Sequence, residues 1–86
     1  MALQREDDLA WRLVEEHRDL LTAEECTAVF VDLGIGEYLA AIRRVLKSVG
    51  AQGKTLSAAS ASAVRAWIDC YDADAEFVEL LEGARR

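Results

Sequence analysis

The 86-residue chain carries ten Lys and Arg against sixteen Asp and Glu, for a net charge of −6, and it has no proline. With 52% hydrophobic and 30% charged residues it has the composition of a globular domain, which excludes an intrinsically disordered segment. The excess of acids also opposes binding to a nucleic-acid backbone. Residues 1–86 are long enough for one domain with a thin core. The lack of proline and the many Ala, Leu, Glu and Arg residues predict an all-α fold, a compact bundle of four to five helices.

The first helix is predicted to begin at residues 6–8, since three acids there complement the positive end of a helix dipole. Residues 1–5 are expected to be frayed. The apolar face of this helix runs from Leu9 to Leu21, and Trp11 lies beside that face. His17, the one histidine of the chain, is expected at the surface or half-buried.

The sequence TAEE at residues 22–25 predicts the start of a second helix. Thr at the N-cap and Glu three residues later form a capping box, in which each side chain accepts a hydrogen bond from the other residue's backbone amide. Cys26, Val29, Phe30 and Leu33 form the predicted inner face. Gly34 is expected to end the helix in the left-handed conformation.

Residues 35–49 predict the central packing helix. The large apolar residues are spaced 4, 3, 4, 3, which places them on one stripe of an α-helix: Ile35, Leu39, Ile42, Leu46 and Val49. Arg43, Arg44 and Lys47 lie roughly opposite this stripe and form a basic face. Residues 35–54 carry four cations and one acid, whereas residues 1–27 carry three Arg and eight acids.

Residues 50–57 predict a loop, with Thr55 or Ser57 as the cap of the next helix. From there the pattern allows two interpretations of residues 57–82. Asp72 or Asp74 could cap a short last helix, or the chain could continue as one long C-terminal helix. The absence of Gly and Pro and the uninterrupted 4, 3 spacing favour the long helix. The predicted core consists of ten residues: Leu13, Val29, Phe30, Leu33, Leu39, Ile42, Leu46, Val64, Ile68 and Val78.

The sequence nominates no catalytic, cofactor-binding or metal-binding residue. No HExxH motif or Cys/His cluster surrounds His17. Cys26 and Cys70 are lone cysteines within helical patterns, which favours buried free thiols over a disulfide. The acidic N-terminal sequence lacks the apolar region of a signal peptide, and no apolar run could span a bilayer. We therefore expect a cytoplasmic protein.

A short resemblance and one further motif offer alternatives. The sequence FVDLGIGEY at residues 30–38 is similar to the F-x-D-L-G-x-x-S-L motif of acyl and peptidyl carrier proteins, which are small, acidic and helical. Glu37 stands where that family's phosphopantetheine serine would be, so the resemblance implies at most a carrier-like fold without the arm. The pair Gly34-Ile35 followed by basic residues also resembles a helix-turn-helix, although bulky Phe30 stands where close helix packing favours a small residue.

The leading functional hypothesis is a non-enzymatic protein–protein interaction module that forms a homodimer. It depends on the lack of catalytic motifs, on a core too small for the number of apolar residues, and on aromatic residues of the kind enriched at interfaces. A core position is an equally good interpretation of Trp67. The alternative is a DNA-binding regulator or antitoxin-like protein that uses the basic face. The predicted interaction surface comprises seven residues: Trp11, Trp67, Tyr71, Phe77, Arg43, Arg44 and Lys47.

Overall fold

The computed structural model describes residues 5–71 and 75–83, which form five α-helices and one short 3-10 helix. The helices, in chain order, are α1 Glu6–Glu16, α2 Ala23–Gly34, α3 Tyr38–Ala51, α4 Ala58–Tyr71 and α5 Ala75–Gly83. The 3-10 helix Arg18–Leu20 lies between α1 and α2. The prediction of an all-α bundle of four to five helices is confirmed. Within the described ranges no helix combines the length and the apolar character that crossing a bilayer would require.

α3 is the central packing element, as the spacing of its apolar residues predicts. It contacts α1, α2 and α5, and its buried face carries Ala41, Ile42, Val45, Leu46 and Val49. α4 completes the bundle by packing against both α1 and α5. Of the basic residues of α3, Arg44 and Lys47 are exposed and Arg43 is half-buried.

The predicted beginning of the central helix is wrong by three residues. α2 extends through Gly34, Ile35 serves as its C-cap, and the chain turns at Gly36 with a φ of 79° before α3 begins. This left-handed position, predicted for Gly34, therefore belongs to Gly36. Because the turn breaks the helical phase, Ile35 does not share the buried face of α3 and is 68% exposed. Leu39, in the first turn of α3, is 46% exposed.

The predicted helix starts are confirmed in the N-terminal half. α1 begins at Glu6 with three acids in its first turn. The capping box of α2 is complete: the Glu25 amide donates to Thr22 Oγ1 at 3.1 Å, and the Thr22 amide donates to Glu25 Oε1 at 2.8 Å. Of the two proposed caps for α4, Ser57 is the one observed, since its hydroxyl accepts from the Ser60 amide at 3.1 Å.

The favoured interpretation of one long C-terminal helix is wrong. The rings of Trp67 on α4 and Phe77 on α5 are 5.0 Å apart. Residues ten apart in a continuous helix would be separated by about 15 Å. α4 and α5 are therefore two helices packed against each other. The proposed caps Asp72 and Asp74 lie outside the described residues, as do residues 1–4 of the segment 1–5 that is predicted to be frayed.

Most of the predicted core is confirmed. Seven of the ten residues are buried: Leu13, Val29, Leu33, Ile42, Leu46, Val64 and Ile68. Val78 is half-buried and packs against this core. Phe30 and Leu39 are wrong, because both are more than a third exposed. Their place near the centre is taken by Trp67, Phe77 and Leu81, which are at most 2% exposed.

Candidate interaction surface

The structure divides the aromatic residues of the predicted interaction surface between surface and core. Trp11 is 43% exposed, so a partner could contact it. Trp67 and Phe77 are almost completely buried, and placing them on an interaction surface is wrong. The side chain of Tyr71 lies outside the described part of the structure.

Trp67 and Phe77 form an edge-to-face pair inside the bundle, with an angle of 87° between the rings. The guanidinium of Arg43 lies 5.4 Å from the centre of the Phe77 ring and pairs with Glu76 at 2.7 Å. Trp67 Nε1 has no hydrogen-bond acceptor among the described residues. This pair stabilises the contact of α5 with α3 and α4 and is not available for binding.

A second Trp–Phe pair lies at the surface, where α1 meets α2. The ring centres of Trp11 and Phe30 are 6.3 Å apart, and the guanidinium of Arg18 lies 5.5 Å from the centre of the Phe30 ring. Val31 follows Phe30 on α2 and is 55% exposed. Ile35 is one helical turn further along, with its amide donating to the Val31 carbonyl at 3.1 Å. We call Trp11, Phe30, Val31 and Ile35 the apolar patch.

Three of the four residues of the apolar patch are absent from the predicted interaction surface. The sequence pattern places Phe30 in the predicted core and Ile35 on the apolar stripe of the predicted central helix. A signal was present for Val31: it lies about 200° around the helix from Val29, and Val29 and Leu33 define the inner face. The exposure of Val31 can therefore be predicted from the sequence once the inner face of α2 is identified.

Four acidic residues lie within about two helical turns of the apolar patch along the chain. Asp8 and Glu15 lie one turn before and one turn after Trp11 on α1, Glu24 lies two turns before Val31 on α2, and Glu37 follows Ile35 by two residues. All four are exposed. None has an ion-pair partner within residues 5–71 and 75–83. We call Asp8, Glu15, Glu24 and Glu37 the acidic rim.

The basic face of α3 is largely neutralised by the chain itself. Arg43 pairs with Glu76 at 2.7 Å, and Arg44 pairs with Asp32 at 2.9 Å. Lys47 is exposed and has no ion-pair partner in the described part of the chain. The alternative prediction of a DNA-binding face stays a prediction, with two of its three cations held in intramolecular pairs.

Two buried serines form hydrogen bonds between helices. The Ser60 hydroxyl donates to Glu16 at 2.5 Å and ties α4 to α1, while the Ser48 hydroxyl donates to Glu25 at 2.5 Å and ties α3 to α2. Hydrogen bonds from Ser57 and Ser60 lower the pKa of the Glu16 carboxyl, and those from Ser48 and the Thr22 backbone lower the pKa of Glu25. A lowered pKa makes a carboxylate a weaker base, so both contacts suit a structural role better than activation of a serine.

The remaining reactive side chains are dispersed. His17 is buried, contrary to the prediction of a surface or half-buried residue, and its Nδ1 lies 2.8 Å from the Leu13 carbonyl oxygen. Both cysteines are free thiols. Cys26 is half-buried, whereas Cys70 is exposed and its predicted burial is wrong. No group of three or more His, Cys, Asp or Glu side chains in the described ranges is placed to hold a metal ion.

A shallow groove of about 670 Å³ runs along the outer face of α4. Its floor consists of small side chains, including Ala58, Ala61, Ser62 and Ala66, and an ion pair between Arg65 and Asp69 lies at one end. Among the described side chains of α4, no large hydrophobic residue is exposed. The outer face of α4 is therefore an exposed helical surface without the large apolar side chains of the apolar patch.

Comparison with protein-family models, with curated proteins and with solved structures yields no match to this chain.

Proposed function

We propose that this protein is a non-enzymatic protein–protein interaction module that binds its partner through the apolar patch. One observation carries the proposal. Every large hydrophobic side chain that is at least 36% exposed in the described structure belongs to α1, to α2 and its C-cap, or to the first turn of α3: Trp11, Phe30, Val31, Ile35 and Leu39. Single exposed apolar residues are common, but a cluster that includes two aromatic rings is typical of an interaction site.

The contacts within the patch support a binding role. The Trp11 ring packs against Phe30, and the Arg18 guanidinium lies over the Phe30 ring. These contacts restrict both aromatic side chains before a partner arrives. A side chain that is already ordered loses less conformational entropy on binding, so more of the contact energy remains as affinity.

The partner is either a second copy of the chain, as in the predicted homodimer, or a different protein. Two free thiols support the predicted cytoplasmic location, because disulfides are rare in that compartment. The alternative of a DNA-binding regulator has less support, since only Lys47 of the predicted basic face lacks an intramolecular partner in the described residues.

Native mass spectrometry of untagged protein purified from its own host tests the proposal. We expect the chain to be found in a complex with another polypeptide or with itself, and we expect the double variant Trp11→Ser/Val31→Ser to lose that complex. The matched control is Ala59→Ser/Ala66→Ser, which introduces two serines at exposed positions of α4. This control should keep the complex.

Two results would overturn the proposal. The first is a wild-type protein found as the bare 9.5 kDa chain. The second is a complex that survives the double substitution in the patch while the α4 control disrupts it. Circular dichroism of each variant establishes that the helices are intact, so loss of the complex is not a loss of folding.

A further inference from the structure

The charges around the apolar patch identify the kind of partner. This inference rests on the proposed function. We infer that the patch binds a cationic amphipathic segment of another protein, in which Lys or Arg residues flank apolar ones, and that it does not bind a second copy of this chain.

The first argument is the charge of the acidic rim. Asp8, Glu15, Glu24 and Glu37 lie within about two helical turns of patch residues along the chain. They are exposed and have no ion-pair partner in the described residues, whereas Asp7 and Glu16 of α1 each have one. The Arg18 guanidinium lies over the Phe30 ring, and Arg12, which follows Trp11 in the sequence, pairs with Glu16 at 3.9 Å. The exposed charge that a partner meets is therefore predominantly negative. Complementary charge around an apolar centre speeds encounter and rejects partners of the same sign.

The second argument concerns a symmetric dimer. A twofold axis places the same surface of each chain against itself, so the acidic rim would face an acidic rim. Residues 1–27 carry three Arg against eight acids, and this segment includes three of the four rim residues and one of the aromatic anchors. Contact between like charges opposes such a dimer, most strongly at low ionic strength.

The third argument concerns an asymmetric contact between two copies. The basic face of α3 is the cationic surface that a second copy could offer to the acidic rim. Arg43 and Arg44 are already paired with Glu76 and Asp32. Lys47 alone of the three would remain for such a contact, which is too little positive charge to match four acids.

The shape of the patch agrees with a helical partner. Val31 and Ile35 lie one turn apart along α2, and the Trp11 ring lies beside Phe30 across the junction with α1. An amphipathic helix that presents apolar residues every three or four positions can place them on such a surface, with its cations over the rim.

Nuclear magnetic resonance of the full-length, ¹⁵N-labelled protein tests the inference with two synthetic peptides. Both peptides have the same Leu positions on a helical face, but one carries Lys at its polar positions and the other carries Glu. The protein has two tryptophans, so its spectrum contains two indole signals, one from exposed Trp11 and one from buried Trp67. The Lys peptide should shift the Trp11 signal and the amides of residues 30–35, and it should leave the Trp67 signal in place.

A matched pair of variants separates recognition at the rim from general attraction to an acidic protein. Asp8→Asn/Glu15→Gln should weaken binding of the Lys peptide about fivefold, as expected for the loss of two exposed charge pairs. Glu79→Gln/Glu82→Gln changes the charge equally on exposed positions of α5, and it should leave the affinity unchanged. Binding should weaken as the salt concentration rises.

The contrary outcomes distinguish the two proposals. Binding of the Glu peptide would support the proposed function but contradict the inference that the partner is cationic. A Trp11 signal that shifts on dilution without peptide would indicate self-association, with the same two consequences. Equal weakening by both variant pairs would show nonspecific attraction and overturn the inference. Failure of the Lys peptide to bind would also overturn it, while leaving the proposed function to native mass spectrometry. A Lys peptide that bound only to α4 and α5 would contradict both.

Discussion

The molecule contains two Trp–Phe pairs with an arginine beside each, and they differ in exposure. Trp67 and Phe77 are at most 2% exposed, with Arg43 over the Phe77 ring. Trp11 and Phe30 are 43% and 36% exposed, with Arg18 over the Phe30 ring. The inner pair lies where α3, α4 and α5 meet, whereas the outer pair lies where α1 and α2 meet.

This difference shows that residue type alone does not assign an aromatic pair to a core or to an interface. Tryptophan and phenylalanine supply large apolar area in either setting. The number of helices that close over the rings decides how much of that area a single chain buries. The inner pair therefore contributes to the stability of the fold, and the outer pair is left to contribute to binding.

The largest expected effect is on the inner pair. Phe77→Ala should lower the free energy of unfolding by about 3–5 kcal/mol, because it removes a buried ring and leaves a cavity beside Trp67. Urea denaturation followed by circular dichroism measures this loss. Phe77→Leu keeps an apolar side chain and should cost clearly less. A loss below 1 kcal/mol for Phe77→Ala would mean that the ring is not part of the core.

The next largest loss of stability is expected at the start of α2, the helix that contains Phe30 and Val31. Thr22→Ala removes the hydroxyl that accepts from the Glu25 amide, and we expect it to cost about 1 kcal/mol of stability. Thr22→Ser retains the acceptor and should be close to wild type. Equal stability of the Ala and Ser variants would contradict the role of the capping box at the start of α2.

Acid should weaken the hydrogen bonds that tie α1 to α4 and α2 to α3. The pKa of Glu16 and that of Glu25 are lowered from 4.5 in the folded protein, so the unfolded chain binds protons more readily. The stability that these two carboxylates contribute is fully present above the pKa of the unfolded chain, and it is lost as the pH falls from 4.5 through their lower pKa values in the folded protein. Urea midpoints measured across this range should decrease toward acid pH. The double variant Glu16→Gln/Glu25→Gln should show a smaller decrease of the urea midpoint toward acid pH. An unchanged decrease would contradict the role of these two carboxylates.

The smallest effect on stability is expected for the outer pair. Trp11→Ser should change the free energy of unfolding by about 1 kcal/mol or less, because nearly half of the ring is already in water. The same substitution should abolish the complex detected by native mass spectrometry. A large loss of stability would place Trp11 with the inner pair and remove the contrast between the two.

Local signals predicted several elements of the fold. The capping box and the acids at the start of α1 depend on interactions within a few residues, so the sequence contains all the information that they need. The buried stripe of α3 from Ile42 to Val49 also follows from helical periodicity. The patch residues Phe30 and Ile35 could not be placed in this way.

The errors arise where tertiary packing decides. The spacing from Val64 to Val78 is compatible with a continuous helix, but the packing of Phe77 against Trp67 requires the chain to turn back. The apolar character of Ile35 indicates burial, but the turn at Gly36 places it outside the bundle. Which apolar residues remain uncovered depends on how the helices meet. The sequence therefore predicted an interaction surface but placed two core residues in it.

Photocrosslinking in the host tests the role of the outer pair most directly. A photoreactive phenylalanine analogue is introduced at position 11 in one strain and, as the matched control, at the exposed position of Arg65 on α4 in another. We predict a protein adduct from position 11, with a mass that identifies the partner, and none from position 65. Equal adducts from both positions, or an adduct from position 65 alone, would contradict the assignment of binding to the apolar patch.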